Sequence, residues 1–145
     1  MASSKLRVIQ RMFKNWVDLP RFDRVLDKVT ITAAESGKLT AELTVSEEHA
    51  NRAGTLHGGI TCTVVDCLST LALTTIDERS DENTLPPAAS INLSVSFLRP
   101  AKIGETIEIS ANLLKKGRAL AYLSVDIYEK NSGKLVAKAS HTKYL

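Results

Sequence analysis

The sequence predicts an α+β fold in which one antiparallel sheet wraps a long central helix. Three observations carry this. Two segments before residue 46 and four after residue 87 alternate apolar and polar side chains, the pattern of strands with one buried face. Between them runs Gly58 to about Ile76, a helical stretch apolar on nearly every side. A sheet with one apolar face needs a cover and an all-round apolar helix needs burial, so each supplies what the other lacks.

In chain order, Leu6, Ile9, Met12, Phe13 and Trp16 recur at helical spacing, and Pro20 ends that pattern. Lys5, Arg7, Arg11 and Lys14 precede any acid in this stretch. It therefore suits either a mitochondrial targeting helix or a helix docking its apolar stripe on the rest of the chain, and the second is preferred. Phe22 to Leu26 reads as one further turn. Lys28 to Glu35 reads as a strand with Val29, Ile31 and Ala33 on one face. Ser36-Gly37 turns the chain into Lys38 to Val45, where Leu39, Ala41, Leu43 and Val45 alternate inward. A polar loop follows from Ser46 to Asn51, then the central helix, then an acidic loop from Asp77 to Pro87.

The remaining strands are Ala88 to Leu98, with Ile91, Leu93, Val95 and Phe97 expected inward; Glu105 to Leu114, with Ile107, Ile109, Ala111 and Leu113; Ala119 to Tyr128, with Ala119, Ala121, Leu123, Val125 and Ile127; and Lys134 to Tyr144. Lys115-Lys116-Gly117-Arg118 is a basic turn, and Asn131-Ser132-Gly133 a hairpin turn. The 145 residues are read as one domain, with residues 1–26 an N-terminal helical segment and 27–145 the core.

Composition narrows the function. Hydrophobic content of 43% and charged content of 24% are those of a globular protein, and a net charge of +3 with few aromatics gives no nucleic-acid surface. No apolar run reaches membrane-spanning length. Cys62 and Cys67 share the central helix without zinc spacing, so no metal is expected and a reducing compartment, cytoplasmic or mitochondrial, is.

The chemistry concentrates at Asn51 to Asp66, N-R-A-G-T-L-H-G-G-I-T-C-T-V-V-D. Gly58-Gly59 opens the helix and lets a ligand approach its first amides, which have no internal partner and lie at the positive end of the helix dipole. That suits an anion or a polarised carbonyl. Asp66 is a carboxylate in an otherwise apolar helix, expected to be buried and therefore paired or functional. One group holds an oxyanion; the other activates water. Gly58 and Asp66 lie eight residues apart, roughly 12 Å along the axis. One short side chain does not span that gap, so Gly58 of one protomer is expected to work with Asp66 of another across a two-fold interface.

The motif H-G-G-x-x-x-x-x-x-D (His57 to Asp66) resembles the signature of the phenylacetyl-CoA branch of hotdog-fold acyl-CoA thioesterases. The segments N-x-x-G-T-L-H-G-G (Asn51 to Gly59), L-x-P-A-K-x-G-E (Leu98 to Glu105), L-K-K-G-R-A-L-A (Leu114 to Ala121) and G-K-L-V-A (Gly133 to Ala137) are similar to the member 2 type of that superfamily. The resemblance implies a hotdog fold, hydrolysis of fatty acyl-CoA to free acid and CoA, and a tetramer built as a dimer of dimers. It places the catalytic positions at Gly58, Asp66, Asn51 and Ser90. It places the CoA contacts at Phe97, at Lys115, Lys116, Gly117, Arg118, Ala119 and Leu120, and at Tyr144. His57 is expected to support the turn through hydrogen bonds beside the substrate. Arg99 and Lys102 are possible helpers for the CoA phosphates. No cofactor is implied, because coenzyme A is part of the substrate. Two rival functions are an enoyl-thioester hydratase or dehydratase pairing His57 with Asp66, and a non-catalytic acyl-CoA-binding protein.

Overall fold

The computed structural model describes residues 3–77 and 88–145; most of the expected acidic loop lies outside them. Helix α1 (Ser4–Asp18) begins where the Ser3 hydroxyl accepts from the Leu6 amide at 3.1 Å, a side-chain cap on an otherwise orphan donor. It buries Leu6, Ile9, Met12, Phe13 and Val17 against the rest of the chain. Each such side chain stabilises the fold by about 2 kcal/mol. A 3₁₀ turn, Phe22–Leu26, follows.

The strands are β1 (Thr30–Glu35), β2 (Lys38–Thr44), β3 (Ala89–Phe97), β4 (Thr106–Lys116), β5 (Leu120–Glu129) and β6 (Leu135–Tyr144), and α2 spans Gly58–Thr74. They form one six-stranded antiparallel sheet in the order β1-β2-β4-β5-β6-β3. Its inner face packs on α2, with Leu39, Ile107, Ile109, Leu123 and Ile127 fully buried.

Helix α2 and its C-cap carry six Ser and Thr residues from Thr61 to Thr75, and all six hydroxyls bond back to carbonyls three or four residues earlier. Examples are Thr63 to Gly59 at 2.7 Å, Ser69 to Val65 at 2.6 Å and Thr74 to Thr70 at 3.0 Å. Such back-bonding satisfies a hydroxyl inside an apolar layer.

Three bulges correct the simple alternation expected from sequence. Thr32 has no partner in β1, so Ala34 rather than Ala33 turns inward. Leu114 is skipped between β4 and β5, and the strand runs on to Lys116, beyond the expected start of the turn. In β3, Ser90 pairs with Lys143 and Asn92 with Thr142, leaving Ile91 unpaired. Directly paired residues share a face. Ser90, Leu93, Val95 and Phe97 therefore lie on the inner face beside Lys143, His141, Ala139 and Ala137, whereas Ile91 has no partner in β6. The inner residues of β3 also lack a cover in the single chain: Leu93 is 37% and Phe97 59% exposed. Ala119, expected inward, is exposed in the turn before β5, and Leu113 is half-buried.

Candidate active site

The loop entering α2 is built on Asn51. Its Oδ1 accepts from the Ala53 and Thr55 amides at 2.9 and 3.2 Å, and its Nδ2 donates to Thr55 Oγ1 at 3.0 Å. Gly54 closes this turn at φ +76°, a left-handed conformation that favours glycine. The His57 amide donates to the carbonyl of buried His49 at 2.8 Å, and the Leu56 amide to Ala101 at 2.7 Å. The start of α2 is thereby held against two neighbouring segments.

His57 is the N-cap, as expected of a turn-supporting residue. Its Nδ1 accepts from the Gly59 amide at 2.8 Å. A Cβ on Gly59 would stand 3.0 Å from that nitrogen, so the cap requires a glycine there. Gly58 faces the other way: a Cβ on it would lie 3.4 Å from the Phe97 ring. Among the described residues, the Gly58 N–H has no acceptor. Beside it opens a cavity of about 290 Å³ lined by Leu56, Thr61, Phe97, Pro100, Ala101 and Ala137, among others. An uncommitted amide at a helix N-terminus, next to an apolar recess, can polarise a carbonyl oxygen.

Asp66 is not buried. Gly59, Cys62 and Asp66 form the one stripe of α2 that the sheet leaves open, and the Asp66 side chain is 51% exposed. Ser90 Oγ lies 3.4 Å from Asp66 Oδ1 and 2.8 Å from His141 Nε2. The other ring nitrogen of His141 lies 2.7 Å from Ser69 Oγ. Ser69 has one proton, and its 2.6 Å contact to the Val65 carbonyl takes it. Ser69 then accepts from His141 Nδ1–H, which leaves Nε2 to accept from Ser90. Burial lowers the His141 pKa, the Lys143 charge adds to the lowering, and Asp66 opposes it.

His141 and Lys143 were not singled out from sequence. Their signal was present: with Ala137 and Ala139 they occupy alternate positions of β6 and share its inner face. Cys67 beside them is inert, because burial pushes its thiol pKa up, with nearby Asp23 and Asp66 adding to the effect.

The expected CoA contacts fall into two separated groups. Leu120 and Ala89 both pair with Tyr144, so the basic turn and the Ser90 end of β3 are neighbours. Phe97 pairs with Ala137, seven residues along β6, or roughly 23 Å away. Lys115, Lys116 and Arg118 are exposed and have no carboxylate partner among the described residues. One chain thus carries two half-sites: Gly58 with Phe97 at one end, and Asp66 with Ser90 and the basic turn at the other. Among the described residues, no three His, Cys, Asp or Glu side chains converge to hold a metal, and no helix is long and apolar enough to cross a membrane.

A sheet wrapped on one long helix, with a free amide at the helix start and a carboxylate two turns on, defines a hotdog-fold enzyme. The chain belongs to the thioesterase superfamily, whose family model matches residues 53–136. It is 43% identical to mouse acyl-coenzyme A thioesterase 13 across 99% of this chain and 98% of that protein, and 41% identical to the human protein over the same shares. Two solved structures resemble it closely. Mouse thioesterase superfamily member 2 has a TM-score of 0.88 at 43% identity, covering 99% of this chain and 98% of that one. The zebra fish member 2 structure has a TM-score of 0.89 at 43% identity, covering 99% of each chain.

Proposed function

We propose that this protein hydrolyses medium- to long-chain fatty acyl-CoA to free acid and CoA, at sites shared between two protomers of a homo-oligomer. The observation that carries the proposal is the separation of the two half-sites. Gly58 offers an unused amide, and Asp66 stands eight residues along the same helix on its open face. The identity of 43% across nearly the whole chain to mouse acyl-coenzyme A thioesterase 13 supports the substrate class. The uncovered inner face of β3 supports the pairing of chains. A dimer of such dimers is the assembly we infer.

The thioester carbonyl accepts from the Gly58 N–H of one protomer. The Asp66 carboxylate of the second removes a proton from water as its oxygen attacks the carbonyl carbon. The oxyanion rests on the amide and the dipole of α2. Collapse breaks the C–S bond, and CoA leaves as a thiolate that takes up the proton held by Asp66. Ser90 orients the water or Asp66. Asn51 shapes the approach loop and has one Nδ2 hydrogen left for the carbonyl or the water. Lys115, Lys116 and Arg118 bind CoA phosphates, with Tyr144 on the same end and Phe97 on the other.

Thiol release from acetyl-, decanoyl-, palmitoyl- and phenylacetyl-CoA tests the proposal. The highest kcat/KM is expected on the decanoyl and palmitoyl esters. Hydration of an enoyl-CoA without thiol release would instead make the protein a hydratase. Binding of the esters with neither reaction would make it a carrier.

A further inference from the structure

Lys143 is 4% exposed. An ammonium in such a place costs several kcal/mol unless it is paired, yet no carboxylate lies within ion-pair distance of it among the described residues. Among the described residues its Nζ donates one hydrogen bond, to Thr70 Oγ1 at 2.7 Å, and the Thr70 hydroxyl itself donates to the Asp66 carbonyl at 2.8 Å. Lys143 pairs with Ser90 on one side and Ala121 on the other, and stands two residues from His141 on the same face of β6. A buried cation thus lies under the end of the site where Asp66, Ser90 and His141 meet.

The hydroxyl proton of Ser90 has two destinations, His141 Nε2 at 2.8 Å and Asp66 Oδ1 at 3.4 Å. A neutral His141 accepts it. A protonated His141 donates from both nitrogens, sends the Ser90 proton to Asp66, and places its own charge 3.9 Å from that carboxylate. Either change weakens Asp66 as a base. The protonation state of one buried ring therefore decides whether Ser90 presents lone pairs or a proton to the reacting water.

We infer that Lys143 is a positioning residue: its buried ammonium holds His141 uncharged, so that Ser90 donates to His141 and leaves the Asp66 carboxylate free. This rests on the thioesterase reading for its kinetic consequence, though not for its effect on His141. The groups facing the pair are Asp66 and Cys67 on α2, with Asp23 of the 3₁₀ turn beyond Cys67. From β3 the neighbour is the neutral Ser90, and from β5 the neighbours are Ala121 and Leu123. Only Asp66 favours the charged imidazole; Lys143 and burial oppose it.

The test is the variant Lys143→Met, with Lys143→Gln as a second replacement, read in two ways. In the pH profile of kcat for thiol release, the acid limb should move up by ~0.5–1 unit. In nitrogen NMR of the imidazoles, assigned with His141→Gln, the His141 titration should move in the same direction. Thr70→Val leaves the Lys143 side chain in place and removes both hydrogen bonds of the Thr70 hydroxyl; its effect on either readout should be smaller than that of Lys143→Met. A loss of thermal stability with neither readout moved would reduce Lys143 to a packing role and overturn the inference. So would a wild-type His141 that titrates at its ordinary value, a result available even if neither variant folds. Absence of thiol release from the wild-type protein would instead sink the thioesterase reading, with the NMR titration still deciding the role of Lys143.

Discussion

Ser90 Oγ approaches His141 Nε2 to 2.8 Å, closer than its 3.4 Å to Asp66 Oδ1. The serine is thus tied first to a buried ring and only second to the carboxylate it accompanies. Ser90→Ala should lower kcat by roughly 10- to 100-fold, less than removal of the base itself, because Asp66 keeps its place without it. Steady-state kinetics on decanoyl-CoA check this; an unchanged kcat would remove Ser90 from the reaction.

Asp66→Asn keeps the shape of the side chain and removes its basicity. Thiol release should fall by about 10²- to 10⁴-fold, with acyl-CoA binding, measured calorimetrically, nearly intact. Persistent turnover would assign the base elsewhere.

The Gly58 amide can be deleted without breaking the helix. Proline is tolerated at the first helical position, and His57 already has the extended backbone, φ −67° and ψ 134°, that a following proline demands. Gly58→Pro should fold and lose about 10²–10³ in kcat. Circular dichroism and kinetics separate that outcome from unfolding.

Shared sites predict complementation. Gly58→Pro and Asp66→Asn proteins, each inactive alone, should recover activity when refolded together, since a mixed dimer contains one site with both groups intact. Tagged mixed dimers that stay inactive would place the whole site within one chain.

Stability should fall in mild acid. The folded-state pKa of His141 is lowered from 6.5, first by burial and then by Lys143. Below pH 6.5 the unfolded chain takes up a proton that the native chain resists, so this stability is complete above 6.5 and is lost as pH falls toward the folded value. The denaturant midpoint should drop between pH 7.5 and 5, and His141→Gln should flatten that slope.

Much of this was legible in the chain. Hydrophobic period placed α2 and the strands within a few residues, because α2 is apolar all round and its strands are not. The turn role expected of His57 came from the resemblance, which gives the chemistry to the acid, and Gly59 has its own reason in the imidazole it must clear. Alternation alone could not place Ile91, Ala33 or Leu114, since a bulge is a pairing between distant segments and leaves no local trace. Asp66 was expected to be buried because apolar neighbours surround it in sequence. It is half-exposed because the sheet curls around only part of the helix. His141 and Lys143 escaped notice for the opposite reason: they look like surface residues until β6 is seen to turn them inward.

The unpaired Ile91 sets the parity of everything before it in β3. Strict alternation counted back from Asn92 would turn Ser90 outward, and the extra residue returns it to the side of Lys143. Loss of that single codon would bring Ser90 directly ahead of Asn92 and leave it opposite the same lysine, in a regular ladder. The length of this strand can therefore drift between lineages without turning the serine away, so its partner across the ladder marks the position better than a residue count does.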